Sequence, residues 1–286
     1  MAHTTFAELL AAARAHGSIG AAALARECEE SGELAEALKE RMATSLSVMR
    51  EAVSRGLSGE ARSRSGLVGG DAARVNEAEG GPVGGVFARA VAASLAVAEV
   101  NASMGRVVAA PTGGASGVLP GVLLTLAEDR ELPDGRLIDA LFAAGAIGAV
   151  IAARTNLSGA AAGCQAEIGA AAAMAAGAAC EMLGGSPSTA GHAAALALQG
   201  LLGLVCDPVC GLVEVPCVAR NGTAAGVVLS AVEMAHAGME FPIPFDEVAE
   251  ALAGVGRALP PSLRETALGG LAATPTARAL GRTLAL

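Results

Sequence analysis

The sequence predicts an all-α protein built from closely packed, Ala- and Gly-rich helices. Hydrophobic residues make up 53% of the 286 residues, but aromatic residues make up only 2%, with no Trp and no Tyr. Small and aliphatic side chains favour helices that approach one another closely over pleated sheets. Almost no segment alternates apolar and polar residues with the period of two that a half-buried strand requires.

The clearest helix is predicted over residues 31–57. Its apolar residues recur at spacings of three and four: Leu34, Leu38, Met42, Leu46, Met49, Val53 and Leu57. Charged residues occupy the positions between them, so one face is expected to pack on the rest of the protein and the other to meet water.

Further helices are predicted downstream, separated by loops rich in Gly and Pro such as 63–71 and 79–85. Pro120 suits the first turn of a helix, and Asp134 suits a cap position. The predicted helices cover residues 86–104, 119–128, 134–154, 167–184, 188–204, 223–237, 245–258 and a short stretch after 274. We therefore expect a single domain over residues 1–286, with a peripheral helix within the first ~30 residues.

Composition excludes nucleic-acid binding. The net charge is −9, and the chain lacks the aromatic residues on which bases stack.

The apolar runs 140–153 and 168–180 are shorter than the roughly 20 residues of a membrane-spanning helix. Two longer uncharged stretches, 107–127 and 182–206, are interrupted by Pro and Gly. Buried helices and no membrane are therefore expected.

The N-terminus predicts a cytoplasmic protein, because it lacks the basic region, apolar segment and cleavage site of a signal peptide. Thiols stay reduced in that compartment, so the six cysteines are not expected to form disulfides.

The cysteines divide into two groups. Cys28 and Cys180 lie in helical segments, where a lone cysteine is usually a packing residue. Cys164, Cys206 and Cys217, called here the cysteine trio, lie within two residues of a Gly or Pro in irregular segments, and a metal site with one open position could use three thiolates. The chain has neither the CxxC pairs nor the four protein ligands of a structural zinc site. By pattern alone, metal binding and packing are equally consistent with the trio.

The 112–117 loop, Thr-Gly-Gly-Ala-Ser-Gly, is a candidate anion site. Its glycines let backbone N–H groups point at an oxyanion, and its hydroxyl groups add donors. Nucleotide-binding patterns such as Gly-Lys-Ser/Thr and GxGxxG are absent, so a carboxylate is the more natural guest. A flexible interhelical turn is an equally consistent interpretation.

Two residue types limit the chemistry. The sole lysine, Lys39, lies on the amphipathic helix, which is a poor position for a Schiff base, so no pyridoxal phosphate is expected. The four histidines are His3, His16, His192 and His236. Each is in a context more typical of surface or core positions than of an acid or base, so the general base stays unknown.

Several motifs resemble the catalytic α chain of the iron–sulfur-dependent L-serine dehydratases, also called L-serine ammonia-lyases. The most specific are Gly163-Cys164-Gln165-Ala166-Glu167 and Gly211-Leu212-Val213-Glu214-Val215-Pro216-Cys217. Matching runs also lie at 65–71, 104–112, 116–120, 206–209 and 263–270. The resemblance extends over nearly all of the chain from about Met49 onward.

This resemblance implies that the cysteine trio binds a [4Fe–4S] cluster, since the separations of 42 and 11 positions fit the family pattern. One iron would remain open and act as a Lewis acid on the substrate hydroxyl. The implied reaction is the deaminating dehydration of L-serine to pyruvate and ammonia, with 1–286 as one catalytic domain. Cys210 has no counterpart in the family pattern, and we expect it not to be a ligand.

The resemblance also implies residues that hold the carboxylate and amino groups of serine: Ser65, Asp71, Thr112, Gly113, Gly114 and Ser116. In single-chain members a separate domain carries a Ser-Ser-Ser-His-Thr motif near the active site, and this chain contains no such motif. We therefore expect an oligomeric enzyme in which a separate β chain completes the site and supplies the base.

Three alternatives stay open. One is a cluster-dependent hydro-lyase for another hydroxy acid, which would not release ammonia. Another is a non-catalytic iron–sulfur protein, which predicts a fourth cysteine ligand and a reversible one-electron couple. A third is a small membrane channel of Ala/Gly helices, which predicts dependence on detergent.

Overall fold

The computed structural model describes residues 3–78 and 81–284, and within them it confirms the all-α prediction. There are thirteen α-helices in this part of the chain, and its only β pairing is an isolated bridge between Cys206 and Arg264. The helices are α1 Phe6–His16, α2 Ile19–Ser31, α3 Ala35–Leu57, α4 Asp71–Glu77, α5 Gly85–Ala102, α6 Val118–Asp129, α7 Asp134–Ala152, α8 Gly159–Ala162, α9 Ile168–Met182, α10 Pro187–Gln199, α11 Cys217–His236, α12 Phe245–Ala258 and α13 Pro275–Thr283.

Helix α9 is the centre of the molecule. Fourteen of its 15 residues are buried, most of them alanines, and it packs against α6, α7, α10 and α11. A helix that is apolar on every side must be covered on every side. Small side chains let the neighbouring backbones approach; a Cβ on Gly177 would lie only 3.2 Å from the carbonyl oxygen of Ala190 in α10.

Most predicted helices match the observed ones within a few residues, with two clear differences. The helix predicted over 188–204 ends at Gln199, where Gly200 follows and the chain turns. Helix α11 begins at Cys217, six positions before the predicted start at residue 223. The early turns contain Asn221 and Gly222, which are weak helix formers, and both are buried against neighbouring segments. Tertiary contacts therefore override local preference there. Of the predicted 79–85 loop, residues Glu79 and Gly80 lie outside the described residues.

Residues 3–31 contain two helices, where we expected one peripheral helix. Leu9 of α1 and Ile19 of α2 are fully buried and belong to the main apolar core. Thr5 and Glu8 form a capping box at the start of α1, a signal that is visible in the sequence.

Carboxylates from distant helices cap three helix N-termini. Asp246 accepts hydrogen bonds from the first two amides of α1 at 2.8 and 3.2 Å, and Glu181 accepts those of α2 at 2.6 and 2.9 Å. Glu99, which is fully buried in α5, accepts three amides from residues 70–72 at the start of α4. Each carboxylate satisfies amides that have no partner within their own helix and faces the positive end of the helix dipole.

Helices α5 and α7 are long and apolar enough to cross a membrane by length and composition alone. In each of them more than half of the apolar window is buried against other helices, at 61% and 56%. Core helices of soluble proteins have these same properties, so the two helices are weak evidence for a membrane span.

Candidate functional site

The structure brings the cysteine trio together from three separate segments. Cys164 opens a 3₁₀ turn after α8, Cys206 lies in an extended segment, and Cys217 is the first residue of α11. Cys164 is 3% exposed and Cys206 is 4% exposed, and Cys217 is half-buried.

The three thiols influence one another electrostatically. Burial raises the pKa of Cys164 to about 11, and Arg220 beside it offsets only part of that effect. Burial also raises the pKa of Cys217 to about 12, helped by the charge of Cys164. The pKa of Cys206 is raised by burial first and then by its neighbours, including both other thiols. A cation bound among them would counteract this, because thiolates are the metal-binding form.

A buried ion pair anchors the Cys206 segment to α11. Arg220 donates to the Asp207 carboxylate at 2.8 Å and to the Val205 carbonyl oxygen at 2.8 Å. The other Asp207 oxygen accepts from the Leu271 amide at 2.7 Å. Asp207 is only 2% exposed, so this charge depends on Arg220 for compensation.

Two fully buried amide side chains hold the other segments. Gln165 donates to two carbonyl oxygens, those of Ala162 and Leu252, and accepts from the Gly203 amide at 2.9 Å. Asn221 donates to the carbonyl oxygens of Cys217 and Gly114 and accepts from the amide of Gly117. Asn221 therefore fastens the 112–117 loop to the start of α11.

The 263–270 segment closes over Cys206. The amide of Cys206 donates to the carbonyl oxygen of Leu263 at 2.9 Å, and the amide of Glu265 donates to the carbonyl oxygen of Cys206 at 2.7 Å. Gly270 has a φ of +58°, and a side chain there would collide with the Asp207 carboxylate. The conformation and the contact both require glycine at this position.

Glu167 connects the 112–117 loop with the cysteine trio. Thr112 donates its hydroxyl proton to Glu167 Oε1 at 2.8 Å. A Cβ on Gly159 would come within 2.5 Å of Glu167 Oε2 and 2.7 Å of Cys206 Sγ, so this oxygen and this thiol border the same space. Burial raises the pKa of Glu167, the Thr112 hydroxyl partly offsets that, and Glu265 adds to the rise.

The predicted substrate residues of the 112–117 loop differ in their surroundings. Gly114 faces Glu167 and Thr112, and Gly113 lies beside the Asn101 side chain. Ser116 is fully buried, and its hydroxyl donates to the Gly113 carbonyl oxygen at 2.7 Å. Its hydrogen bond therefore stabilises the shape of the loop.

In the 65–71 loop, Ser65 and Asp71 make different contacts. The Ser65 hydroxyl donates a short hydrogen bond to the buried carboxylate of Glu214, three residues before Cys217. The Asp71 carboxylate pairs with Arg74 at 2.7 Å on the surface of α4. The structure thus joins Ser65, through Glu214, to the segment that carries a member of the trio.

Other candidate residues have structural contacts. The Sγ of Cys210 lies 4.0 Å from the Ala277 carbonyl oxygen in α13. His192 accepts a hydrogen bond from the Phe241 amide at 3.2 Å.

Residues 3–78 and 81–284 contain no group of three or more His, Cys, Asp or Glu side chains arranged to hold a single metal ion. A cubane cluster differs from a single ion, since each cysteine binds a different iron and the sulfur atoms lie further apart. Two buried thiols and one half-buried thiol, from three anchored segments, fit such a cluster. Arg264, bridged to Cys206, also has a buried Nε without a hydrogen-bond partner among the described residues.

Comparison with known proteins decides the family. The model of the serine dehydratase alpha chain family matches residues 14–272. The chain belongs to this family. The resemblance that the motifs indicated is therefore confirmed.

Relatives in the serine dehydratase alpha chain family differ in how much of their length the chain covers. It is 45% identical over 267 residues to the "Probable L-serine dehydratase, alpha chain" of Bacillus subtilis, covering 91% of this chain and 88% of the relative. The "L-serine dehydratase, alpha chain" of Peptoniphilus asaccharolyticus is 44% identical over 200 residues, covering 70% and 68%. The "L-serine dehydratase" of Streptomyces coelicolor is 38% identical over 273 residues, covering 93% of this chain but 59% of the relative.

Sequence reasoning missed the residues that join the segments of the site. Glu167, Asn221 and Arg220 all lie close to a member of the trio in the chain, but their partners are distant in sequence. The one signal in the sequence is spacing, because these polar residues follow Cys164 or Cys217 at a distance of three or four positions.

Proposed function

We propose that the chain is the catalytic α subunit of an L-serine dehydratase that converts L-serine to pyruvate and ammonia. The observation that carries this proposal is the meeting of two buried thiols and one half-buried thiol beside Glu167 and the 112–117 loop, in a chain of the serine dehydratase alpha chain family. A [4Fe–4S] cluster bound by Cys164, Cys206 and Cys217 would supply a Lewis acid that makes the serine hydroxyl a better leaving group.

The 112–117 loop is proposed to hold the substrate carboxylate. No acceptor contacts the amides of Gly113 and Gly114 among the described residues, and both precede the hydrogen bonds of the 3₁₀ turn. These two free amides are donors of the kind that a carboxylate accepts, while the Thr112 hydroxyl proton is engaged by Glu167. Ser116 and Asn221 then act by keeping the loop in this shape.

The reaction releases one water molecule when L-serine is dehydrated and consumes one when the resulting imine is hydrolysed. Removal of the Cα proton and departure of the β-hydroxyl group give 2-aminoacrylate, which tautomerises to an imine. Water then hydrolyses the imine to pyruvate and ammonia. No side chain of this chain is assigned as the base that takes the Cα proton.

We propose that a separate β chain completes the site and carries this base. The names of the Bacillus and Peptoniphilus relatives describe alpha chains. About two fifths of the Streptomyces relative lies outside the matched region, which leaves room for another domain of ordinary size.

Cys164→Ala tests the proposed function, with Cys180→Ala as the matched control. Both variants remove a buried thiol, but Cys180 lies outside the trio in the middle of the core. We expect Cys164→Ala, prepared without oxygen, to lose acid-labile sulfide and iron and also pyruvate formation from L-serine. Cys180→Ala should keep its iron content, its acid-labile sulfide content and its rate of pyruvate formation near the wild-type values.

Threonine, citrate and tartrate complete that assay, with released ammonia as the decisive product. An active Cys164→Ala enzyme without iron would contradict the proposed cofactor. A wild-type enzyme that dehydrates a hydroxy acid without releasing ammonia would contradict the proposed substrate.

A further inference from the structure

The substrate of the proposed reaction carries a positive charge that the site must bind. L-Serine has a carboxylate, a hydroxyl and an α-ammonium group around one carbon. The 112–117 loop supplies donors, which suit the carboxylate and repel a cation. A fixed carboxylate is the natural partner of the ammonium group, since charge-assisted hydrogen bonds are about twice as strong as neutral ones.

Glu167 is placed between the two other parts of the site. Its Oε1 accepts the Thr112 hydroxyl at 2.8 Å, and a Cβ on Gly114 would lie 3.7 Å from that same oxygen. Its Oε2 borders the space next to Gly159 and Cys206 Sγ. The carboxylate thus adjoins the loop with one oxygen and the cysteine trio with the other.

The charge of Glu167 is not compensated within the described part of the chain. Its side chain is half-buried, and it makes no ion pair with any described Arg, Lys or His. The nearby Arg220 is already paired with Asp207. A partly buried carboxylate without a cation is costly, and a bound cation would remove that cost.

Besides Asp207, which is paired with Arg220, two other carboxylates lie near the trio and are less suited to this role. Glu214 is 4% exposed and accepts the hydroxyl and the amide of Ser65, so its oxygens are engaged. Glu265 is exposed to solvent, where water screens its charge. Glu167 alone among the three combines partial burial with an oxygen that faces the site.

We infer that Glu167 binds the α-ammonium group of the amino-acid substrate, with Thr112 fixing the orientation of its carboxylate. The inference rests on the proposed function, because it assigns the ammonium group of that substrate. It divides the recognition of serine among three places: the loop for the carboxylate, Glu167 for the ammonium group and the trio's side of the site for the hydroxyl.

The test compares two unreactive ligands that differ by the amino group, L-alanine and propionate. Their affinities for the cluster-loaded complex of this chain with its partner are measured by calorimetry, which needs no turnover. In the wild type we expect L-alanine to bind about 10- to 100-fold more tightly than propionate, as a hydrogen bond to a charged group predicts. In Glu167→Gln this ratio should fall toward one, with propionate affinity nearly unchanged.

Glu265→Gln is the matched control, because it removes the same charge from an exposed position close to the site. We expect it to keep the wild-type ratio. A wild-type ratio in Glu167→Gln, or an equal loss in both variants, would overturn the inference. Failure of the wild-type complex to form pyruvate from L-serine would instead refute the proposed function, whatever the ratio.

A second variant covers the case in which Glu167→Gln does not fold or does not retain iron and sulfide. Glu167→Asp keeps the charge but withdraws the carboxylate by one methylene group. The ratio of the affinity for L-alanine to that for propionate should fall severalfold, and the KM for L-serine should rise more than kcat falls. An unchanged ratio and KM in this variant would also overturn a direct contact.

Discussion

At the scale of single residues, the cysteines differ in their surroundings. Cys180 is fully buried in α9, and burial, followed by the charge of Glu181, raises its pKa to about 12. Cys28 lies half-buried on α2. The thiolate is the reactive form of a cysteine, so position alone separates an inert thiol from a reactive one.

Alkylation with iodoacetamide measures this difference. At pH 8 a thiol with a pKa of about 12 is ionised in roughly one molecule in 10⁴, so we expect native protein to be labelled at Cys28 and not at Cys180. Mass spectrometry of the digested protein reads both sites, and unfolding in urea should make them equally reactive. Equal labelling in the native state would contradict the burial of Cys180.

The raised pKa of Cys180 predicts that alkaline pH lowers the stability of the folded protein. From the ordinary value of 9.0 up to about 12, the unfolded chain releases the Cys180 proton while the folded chain retains it. The contribution of Cys180 to stability is therefore complete below pH 9 and falls as the pH rises through this range.

Residue by residue, the sequence offered candidate residues for the site but not the contacts that hold them in place. The motifs around Cys164 and Cys217 and the glycines of the 112–117 loop are contiguous in the sequence, so the sequence alone reveals them. The contacts of Asn221 with residues 114 and 117 link positions more than 100 residues apart, and no local pattern encodes them.

At the scale of helices, glycine sets how closely two axes can approach. Gly121 of α6 packs on Ser94 of α5, and a Cβ there would lie 2.6 Å from the Ser94 amide nitrogen and 2.7 Å from its Cα. These neighbours are backbone atoms, which cannot move without separating the helices. In contrast, a Cβ on Gly145 of α7 would meet nothing within 4 Å.

Gly121→Ala and Gly145→Ala form a matched pair of helix substitutions. We expect Gly121→Ala to lower the free energy of unfolding by about 1–3 kcal/mol through overpacking. Gly145→Ala should raise it by up to about 1 kcal/mol, since alanine is the better helix former and space is available. Urea unfolding followed by circular dichroism measures both. A destabilised Gly145→Ala or a neutral Gly121→Ala would contradict this packing.

Helices were predictable where apolar spacing or turn residues mark them, as in α3 and α12. Helix α4 was not predicted, because it is only seven residues long and Glu99, 28 positions away from Asp71, satisfies its first amides. The start of α11 was placed too late for a related reason: buried contacts of Asn221 stabilise turns that local propensity does not favour.

At the scale of the whole molecule, the site is made by segments that come from separate parts of the chain. Each of the three trio segments is fixed to the helical body, yet no group of this chain is assigned as the base. A second polypeptide that contacts this face would place its own side chains directly against the substrate.

Addition of the proposed β chain tests this arrangement. The isolated chain, loaded with iron and sulfide, should form pyruvate from L-serine at least about 100-fold more slowly than the complex, because general acid–base catalysis contributes 10²–10⁴-fold. The rate should rise to saturation as purified β chain is added, with the iron content per α chain unchanged. Full turnover by the isolated chain would contradict the requirement for a partner.

The hydrogen bonds and the ion pair that hold the cysteine trio in place bear on how a lost cofactor could be replaced. Gln165, Asn221 and the Asp207–Arg220 pair fix the three segments through bonds between protein groups. Small zinc domains differ in this respect, because they unfold when the metal leaves. If the proposed cluster were lost to oxygen, these bonds between protein groups would remain, so we expect the chain to stay folded and to accept iron and sulfide again without new synthesis.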